Sequence, residues 1–178
     1  IQVSDEGLTI SNPGGFIEGI TLENLLTAEP CGRNPLLSDA LKRIGLAERT
    51  GRGIDRIFAG SITFGRPWPD YSESTAKQVT LFIPRAKADT EFIQMIMDEQ
   101  KSMGHPLAIH TLLILSVLYS ERKVSMHDLV ERTHASLTRL KPLIETLIER
   151  GVVVEIGRAS QRMLKLGQKV YRKTGKTK

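Results

Sequence analysis

The sequence predicts an α+β fold in two domains, residues 1–86 and 87–178. Short runs of alternating apolar and polar residues at 1–10 and 79–83 are typical of strands, and between them apolar residues recur at helical spacing. After residue 105 the pattern becomes helix, helix, turn, helix and hairpin. With 178 residues, of which 40% are hydrophobic and 25% charged, the chain is long enough for two small globular cores.

A hairpin and a loop are expected at the start of the first domain. The runs 1–3 and 8–10 flank the turn residues Asp5-Glu6-Gly7. Asn12-Pro13-Gly14-Gly15 then predicts a loop, because glycine and proline favour tight turns. Thr21 is placed to cap a short helix that continues to Leu26.

Two helices and a strand complete this domain. Asn34-Pro35 is a common helix start, and the apolar residues that follow at helical spacing, up to Gly45, predict a helix with one buried face. A second helix is predicted from Gly53, packing through Ile54, Ile57 and Phe58. Residues 60–77 are loop-like, and Val79–Ile83 predicts a strand.

The second domain begins with two predicted helices. Residues 87–104 form the first, with Phe92, Ile93, Ile96 and Met97 on one side. Pro106 opens the second, an apolar helix that continues to Tyr119. This apolar run is far shorter than the ~20 residues that span a bilayer, so no membrane partner is expected.

Two further helices and a hairpin follow. Ser125 with Asp128 three residues later is the pattern of a capping box, which predicts a helix through Arg132. After a short turn, residues 137–150 predict a helix with a continuous apolar face, which is the third helix after residue 105. Residues 152–156 and 163–166 predict the strands of a hairpin.

Residues 88–170 resemble a winged helix-turn-helix in this order of elements. Such a domain presents polar side chains near the amino end of its third helix to DNA, while the apolar side stays in the core. The predicted contacts on that helix are Ser136, Thr138, Arg139 and Lys141. Those on the wing are Arg158, Ser160, Gln161 and Arg162. The Arg139 side chain is suited to hydrogen-bond a guanine, and Lys141 is suited to contact a phosphate. The alternative is a winged helix that serves only dimerisation or domain packing.

The charge distribution favours duplex DNA as the partner. From Ser136 onward there are eleven basic and three acidic residues, a net charge of +8 in 43 positions, and the whole chain has a pI of about 9.5. The acidic Glu145 and Glu149 share the polar side of the third helix, so only its first turns can approach phosphates. Pro142 would cost a hydrogen bond if the helix began at Ser136, so the helix either starts near Thr138 or bends.

Three motifs in the first domain resemble a GHKL-type ATPase fold, in the form found in RecG-related, Schlafen-type (AlbA-domain) bacterial transcriptional regulators. They are Asn12-Pro13-Gly14-Gly15, Arg33-Asn34-Pro35 and Gly51-Arg52-Gly53-Ile54. The resemblance implies ATP with Mg²⁺ as a cofactor of the full-length protein. It implies nucleotide contacts at Asn12, Gly14, Gly15, Arg33, Asn34, Gly51, Arg52 and Gly53. Helix starts of this kind favour anions.

The resemblance is incomplete, since Asn12 replaces the Asp expected in the first glycine box and the Arg33-Asn34-Pro35 helix replaces the lid between the boxes. The family's magnesium-binding helix, which carries an asparagine, would precede the first glycine motif, but the chain begins in a strand-like run at Ile1 and without Met. We therefore expect a fragment that holds half of a nucleotide site. No set of carboxylates or histidines has the arrangement of a catalytic centre, and no His, Cys and carboxylate cluster has metal-site spacing.

The sequence thus predicts a cytoplasmic, homo-oligomeric, DNA-binding transcriptional regulator whose winged helix is joined to a GHKL-like sensor or oligomerisation domain. A single cysteine excludes an internal disulfide and fits a reducing compartment. The first alternative is an ATP-binding or ATPase domain of a RecG-related protein with an accessory winged helix. The second is a protein-interaction module.

Overall fold

The structure, a computed structural model, describes residues 1–46, 52–157 and 162–167. These residues form six helices and two three-stranded antiparallel sheets, which confirms the α+β class. The chain divides into two compact units. The first consists of Ile1–Ser61 and Arg66–Lys87, and the second of Ile62–Gly65 and Ala88–Lys178.

The sheet of the first unit has the strand order β1 (Gln2–Val3), β2 (Gly7–Pro13) and β3 (Gln78–Pro84). The predicted hairpin is present, but β2 continues through Asn12 and Pro13, which we expected to lie in a loop. The strand is extended because β3, which is distant in the sequence, pairs with β2 along the whole length of β2. Pro13 stands at the end of the strand, where a missing N–H is tolerated.

The helices of this unit are α1 (Pro35–Arg43) and α2 (Arg52–Thr63). Asn34 caps α1 as predicted, and its side chain accepts a hydrogen bond from the backbone N–H of Leu37 at 3.0 Å. The buried face predicted for α1 is wrong, since none of its residues is buried. α2 continues three residues beyond Gly60.

The short helix predicted after Thr21 is also wrong, because these residues form turns. The side chain of Asn24 accepts a hydrogen bond from the backbone N–H of Thr21 at 2.7 Å and donates one to the carbonyl of Gly19 at 2.7 Å. Asparagine side chains compete in this way with the backbone bonds of a helix.

Aromatic rings form the centre of the first unit. Phe58 of α2 stacks on Tyr71 with ring centroids 6.5 Å apart and contacts Trp68 edge-on at 6.3 Å. Phe58 and Tyr71 are both buried, and burial raises the pKa of the Tyr71 hydroxyl. The aromatic contacts join α2 to the segment that precedes β3.

The second unit is built around α4 (Ile109–Glu121), which has eight buried residues and therefore runs through the core. It begins three residues later than the Pro106 start expected from sequence. α3 (Thr90–Met103) precedes it and is anchored at its amino end, where Asp89 accepts hydrogen bonds from the backbone N–H of Phe92 and the hydroxyl of Tyr119. On α3, Met95 is buried, whereas Met97 is 56% exposed.

The remaining elements alternate between helix and strand. They are β4 (Val124–Ser125), α5 (Met126–Thr133), α6 (Leu137–Glu149), β5 (Val153–Ile156) and β6 (Met163–Leu166). The sheet order is β4-β6-β5. The capping box at the start of α5 is confirmed, with Asp128 and Ser125 bonded reciprocally. Sequence reasoning missed β4, whose two residues are too few for an alternating pattern.

Candidate functional site

The amino end of α6 presents the polar residues predicted to contact DNA. Ser136 is the N-cap, and its hydroxyl accepts a hydrogen bond from the backbone N–H of Arg139 at 3.3 Å. The side chains of Thr138, Arg139 and Lys141 are exposed. The opposite side of the helix is fixed in the core by Leu140, Ile144 and Leu147, each at most 2% exposed. α6 is thus held by one face and presents the other to solvent.

Glu145 limits the positive charge of this face. Its carboxylate lies 4.0 Å from the ammonium of Lys141, one turn away. Both side chains are more than half exposed, so the pair stabilises the helix by only ~0.3–0.5 kcal/mol and is easily exchanged for a phosphate contact. The basic surface is therefore confined to the first two turns of α6.

Of the four wing residues, the structure describes Arg162. It stands directly before β6, and its guanidinium lies 3.7 Å from the carboxylate of Glu155 on β5. Both side chains are largely exposed, so this pair too is weak. Arg158, Ser160 and Gln161 lie outside the described residues.

Arg150 is a basic residue with a structural contact that sequence reasoning missed. At the carboxyl end of α6, its Nε donates to Glu99 at 2.8 Å and its Nη2 donates to Ser102 at 2.9 Å, both on α3. The Glu99 side chain is only 12% exposed, so this pair is better shielded from water than those on the surface. Arg150 joins α6 to α3. The only feature of the sequence that pointed to Arg150 was its position directly before Gly151, at the end of the predicted helix.

The first glycine motif is closed by contacts within the chain. The N–H of Gly14 donates to the carbonyl of Lys77 at 2.7 Å, and Gly14 has φ of 88°, a conformation that favours glycine. A Cβ at Gly15 would lie 2.5 Å from the carbonyl oxygen of Ala76. Close packing of two backbone segments therefore requires the glycine at position 15.

Arg33 lies beside this loop. Its guanidinium donates a hydrogen bond to the carbonyl of Gly15, and a Cβ at Gly14 would be 3.3 Å from its Nη1. The structure thus brings together Gly14, Gly15 and Arg33 of the predicted nucleotide residues. The side chain of Asn34 caps α1, and Asn12 is exposed near the end of β2.

The second glycine motif lies at the start of α2. Gly51 lies outside the described residues. Arg52 and Gly53 are the first two residues of the helix and both are exposed. A Cβ added at Gly53 would meet no atom within 4 Å, in contrast to Gly15. As far as the described residues extend, the space beside Gly53 is therefore open, as a helix start that binds an anion requires.

The arrangement around Gly14 does not fit a complete magnesium–nucleotide site. Residues 2–3 and 7–13 are strands, so the stretch before the first glycine motif contains no helix that could carry a magnesium-binding asparagine. The described residues also contain no group of three or more His, Cys, Asp or Glu side chains arranged to hold a metal ion. In the same part of the chain, none of the helices has the length and apolar character to cross a membrane.

Comparisons with known proteins concern the first 83 residues and the fold of most of the chain. Residues 1–83 match the family model described as putative ATP-dependent DNA helicase recG C-terminal. The crystal structure of the DIP2311 protein from Corynebacterium diphtheriae is similar over 93% of the chain, with a TM-score of 0.72 and 18% sequence identity. The chain spans 34% of that protein's length. No curated protein shows significant sequence similarity. The match thus supports a RecG-related, ATPase-like fragment over residues 1–83.

Proposed function

We propose that the chain combines a RecG-related, ATPase-type domain with a winged helix that binds duplex DNA. The match of residues 1–83 supports the first part. The second part rests on α6, whose capped amino end exposes Thr138, Arg139 and Lys141 while its other face is buried. The helices α4, α5 and α6 with the sheet β4-β6-β5 have the order of a winged helix, in which β5 and β6 flank the wing.

In this proposal α6 enters the major groove by its first two turns. Arg139 donates two hydrogen bonds to a guanine, and Lys141 exchanges Glu145 for a phosphate. Arg162 and the other wing residues contact the backbone. The charge of the last 43 residues favours such a partner, because each neutralised phosphate releases condensed counterions.

Regulation of transcription is the more specific form of this proposal. It requires that the winged helix discriminates between sequences, and Arg139 at the exposed amino end of α6 is the residue suited to that role. A Schlafen-type domain and a cytosolic location belong to the same proposal. ATP binding requires residues in addition to the two glycine motifs, because these motifs alone do not complete a nucleotide site.

The experiment is a salt titration of DNA binding. Fluorescence anisotropy with a labelled duplex is recorded for residues 1–178 over a range of salt concentrations. Four to six phosphate contacts predict a slope of about −4 to −5 in the plot of log K against log salt. Absence of binding at low salt, or a slope near zero, would contradict DNA binding and favour a winged helix that contacts protein.

A further inference from the structure

The amino end of α6 presents apolar groups among its basic residues. Leu137, the first residue of the helix, is 51% exposed, although leucine is usually buried. Thr138, which carries a methyl group beside its hydroxyl, and Pro142 are exposed as well. Leu137, Thr138 and Pro142 together are called the apolar cluster of α6 below.

Helical geometry directs the centre of this cluster away from the core. At 100° per residue, Thr138 and Pro142 lie in one row along α6. The opposite side of the helix carries Leu140, Ile144 and Leu147, each at most 2% exposed. The row of Thr138 and Pro142 is therefore the part of the first two turns that comes nearest to a molecule bound by α6.

The charges beside the row favour a nucleic acid over an apolar protein surface. Arg139 and Lys141 flank the row on its two sides, and both are exposed. The acidic residues of the same side follow later in the helix. Glu145 lies 4.0 Å from Lys141, and Glu149 is about 16 Å from Thr138 along the axis. The apolar cluster thus lies in a basic surroundings suited to a polyanion.

We propose that the apolar cluster contacts the 5-methyl group of a thymine in the major groove and so adds a thymine to the sequence that α6 recognises. This inference rests on the proposed function, the binding of duplex DNA by α6. Thymine is the base that presents a methyl group in the major groove, and apolar groups, including the threonine methyl, contact it there. The side chains of Leu137 and Pro142 have no donor or acceptor, so a polar base edge in the same place would lose hydrogen bonds to water.

The spacing along α6 predicts where the thymine lies. Thr138 is adjacent to Arg139, and the Cα atoms of adjacent residues are ~3.8 Å apart. Successive bases of one strand are separated by ~3.4 Å along the duplex axis. The guanine contacted by Arg139 and the thymine should therefore lie within about two base pairs of each other.

Replacement of thymine by deoxyuracil tests the contact, because the two bases differ only by the 5-methyl group. Duplex sites are first enriched from random DNA by binding to residues 1–178, and they should share a thymine within about two base pairs of a guanine. Deoxyuracil at this thymine should weaken the complex about 4-fold, which corresponds to ~0.8 kcal/mol for one buried methyl group. Deoxyuracil at thymines elsewhere in the duplex should have no effect.

Two variants test whether α6 makes the contact. Thr138→Ser removes the methyl group and keeps the hydroxyl, and Leu137→Ala shortens the other exposed side chain. At least one of them should reduce the effect of deoxyuracil to less than about 2-fold. Each effect is a ratio within one variant, so a smaller folded fraction changes the binding of both duplexes equally.

Thr146→Ser is the matched control. It makes the same chemical change about two turns further along α6, at an exposed threonine outside the basic surface. The Thr146 hydroxyl donates a hydrogen bond to the carbonyl of Pro142 at 2.9 Å, and serine can keep this bond. The effect of deoxyuracil should therefore stay about 4-fold in this variant.

The outcomes separate the methyl contact from the proposed function. Absence of DNA binding at low salt would contradict both and leave the apolar cluster to a protein partner. Three results would overturn the methyl contact alone while DNA binding stands. They are enriched sites that share no thymine, binding that deoxyuracil does not weaken at any position, and an effect of deoxyuracil that neither Thr138→Ser nor Leu137→Ala reduces.

Discussion

The guanidinium of Arg33 donates a hydrogen bond to the carbonyl of Gly15, eighteen residues earlier in the chain. This bond holds the loop before α1 against the first glycine motif. Gly15 is at the same time enclosed by the backbone of residues 75 and 76. Two residues that the sequence suggested as ligands of a nucleotide thus contact each other within the protein. The close backbone of Ala76, and not this hydrogen bond, requires glycine at position 15.

Gly15→Ala should therefore destabilise the chain, whereas Gly53→Ala should not. The new Cβ at position 15 would lie 2.5 Å from the carbonyl oxygen of Ala76, and relief of such overpacking costs ~1–3 kcal/mol. At position 53, inside α2, the Cβ meets no atom within 4 Å, so alanine should leave stability unchanged or raise it by up to ~1 kcal/mol. Urea unfolding measures both values. Equal effects of the two variants would contradict the packing role of Gly15.

ATP with magnesium should bind residues 1–178 weakly, and hydrolysis should be undetectable. The N–H of Gly14, the side chain of Asn34 and the guanidinium of Arg33 already have hydrogen-bond partners in the chain. A ligand would have to displace them. Isothermal titration should give no binding in the micromolar range. Micromolar affinity or turnover by these residues alone would show that the half-site is sufficient.

The limits of sequence reasoning are clear at α1 and β2. Asn34-Pro35 identified the start of α1 correctly, because capping depends on residues a few positions apart. Helical periodicity also located its apolar row, but whether that row meets a partner depends on distant parts of the chain or on a second molecule. β2 shows the same limit, since β3 extends it through Asn12 and Pro13 from more than sixty residues away.

The second unit was more predictable, because its signals are local. The Ser125 capping box, the buried face of α6 and strand β6 all follow from short-range patterns, and the structure confirms them. The pairing of Arg150 with Glu99 could not be predicted, since charged residues at helix ends have many alternative partners. The same limit applies to Arg33, which has a protein contact where a phosphate contact was expected.

The capping box of α5 should make stability depend on pH in the acid range. Hydrogen bonds from the Ser125 hydroxyl, and next from its backbone N–H, lower the pKa of Asp128 below the usual value of 3.8. The folded state then binds the proton less readily than the unfolded state. The resulting stabilisation is present above the unfolded pKa and is lost as the pH falls through the folded one.

Asp128→Asn should therefore lose less stability than the natural chain when the pH is lowered from neutral to about 3. Urea unfolding at a series of pH values gives the comparison. Ser125→Ala is the matched variant, because it removes the hydroxyl that lowers the pKa while the carboxylate stays. Its pH dependence should lie between the two. Identical acid profiles for all three proteins would contradict a role of Asp128 in this range.

Pro142→Ala should stabilise the second unit. Pro142 lies inside α6 and has no N–H, so it cannot bond the carbonyl of Thr138 one turn earlier. Replacement should raise the free energy of unfolding by ~1–3 kcal/mol. Pro35→Ala, at the first turn of α1, is the control, since proline is favoured there and the change should be neutral or slightly destabilising. Loss of stability in Pro142→Ala would contradict a destabilising effect of the proline in α6.

The last prediction separates sequence recognition from phosphate contact. With a duplex site enriched from random DNA by binding, Arg139→Ala should weaken the specific complex by ~1–3 kcal/mol and change affinity for random duplex much less. Arg162→Ala should weaken both to a similar degree and reduce the salt slope by about 1. The difference follows from position, because Arg139 lies in the first turn of α6 and Arg162 beside the wing.

Arg150→Ala is the control for an indirect effect in the same assay. Arg150 holds α6 to α3 through Glu99 and Ser102, so its loss should lower stability and weaken the specific complex without changing the salt slope. Competition titrations with random duplex distinguish the three variants. Equal losses of specific and random binding in Arg139→Ala would show that this side chain contacts only phosphate. Discrimination between sequences would then have to arise elsewhere, and the regulatory form of the proposed function would lose its basis in α6.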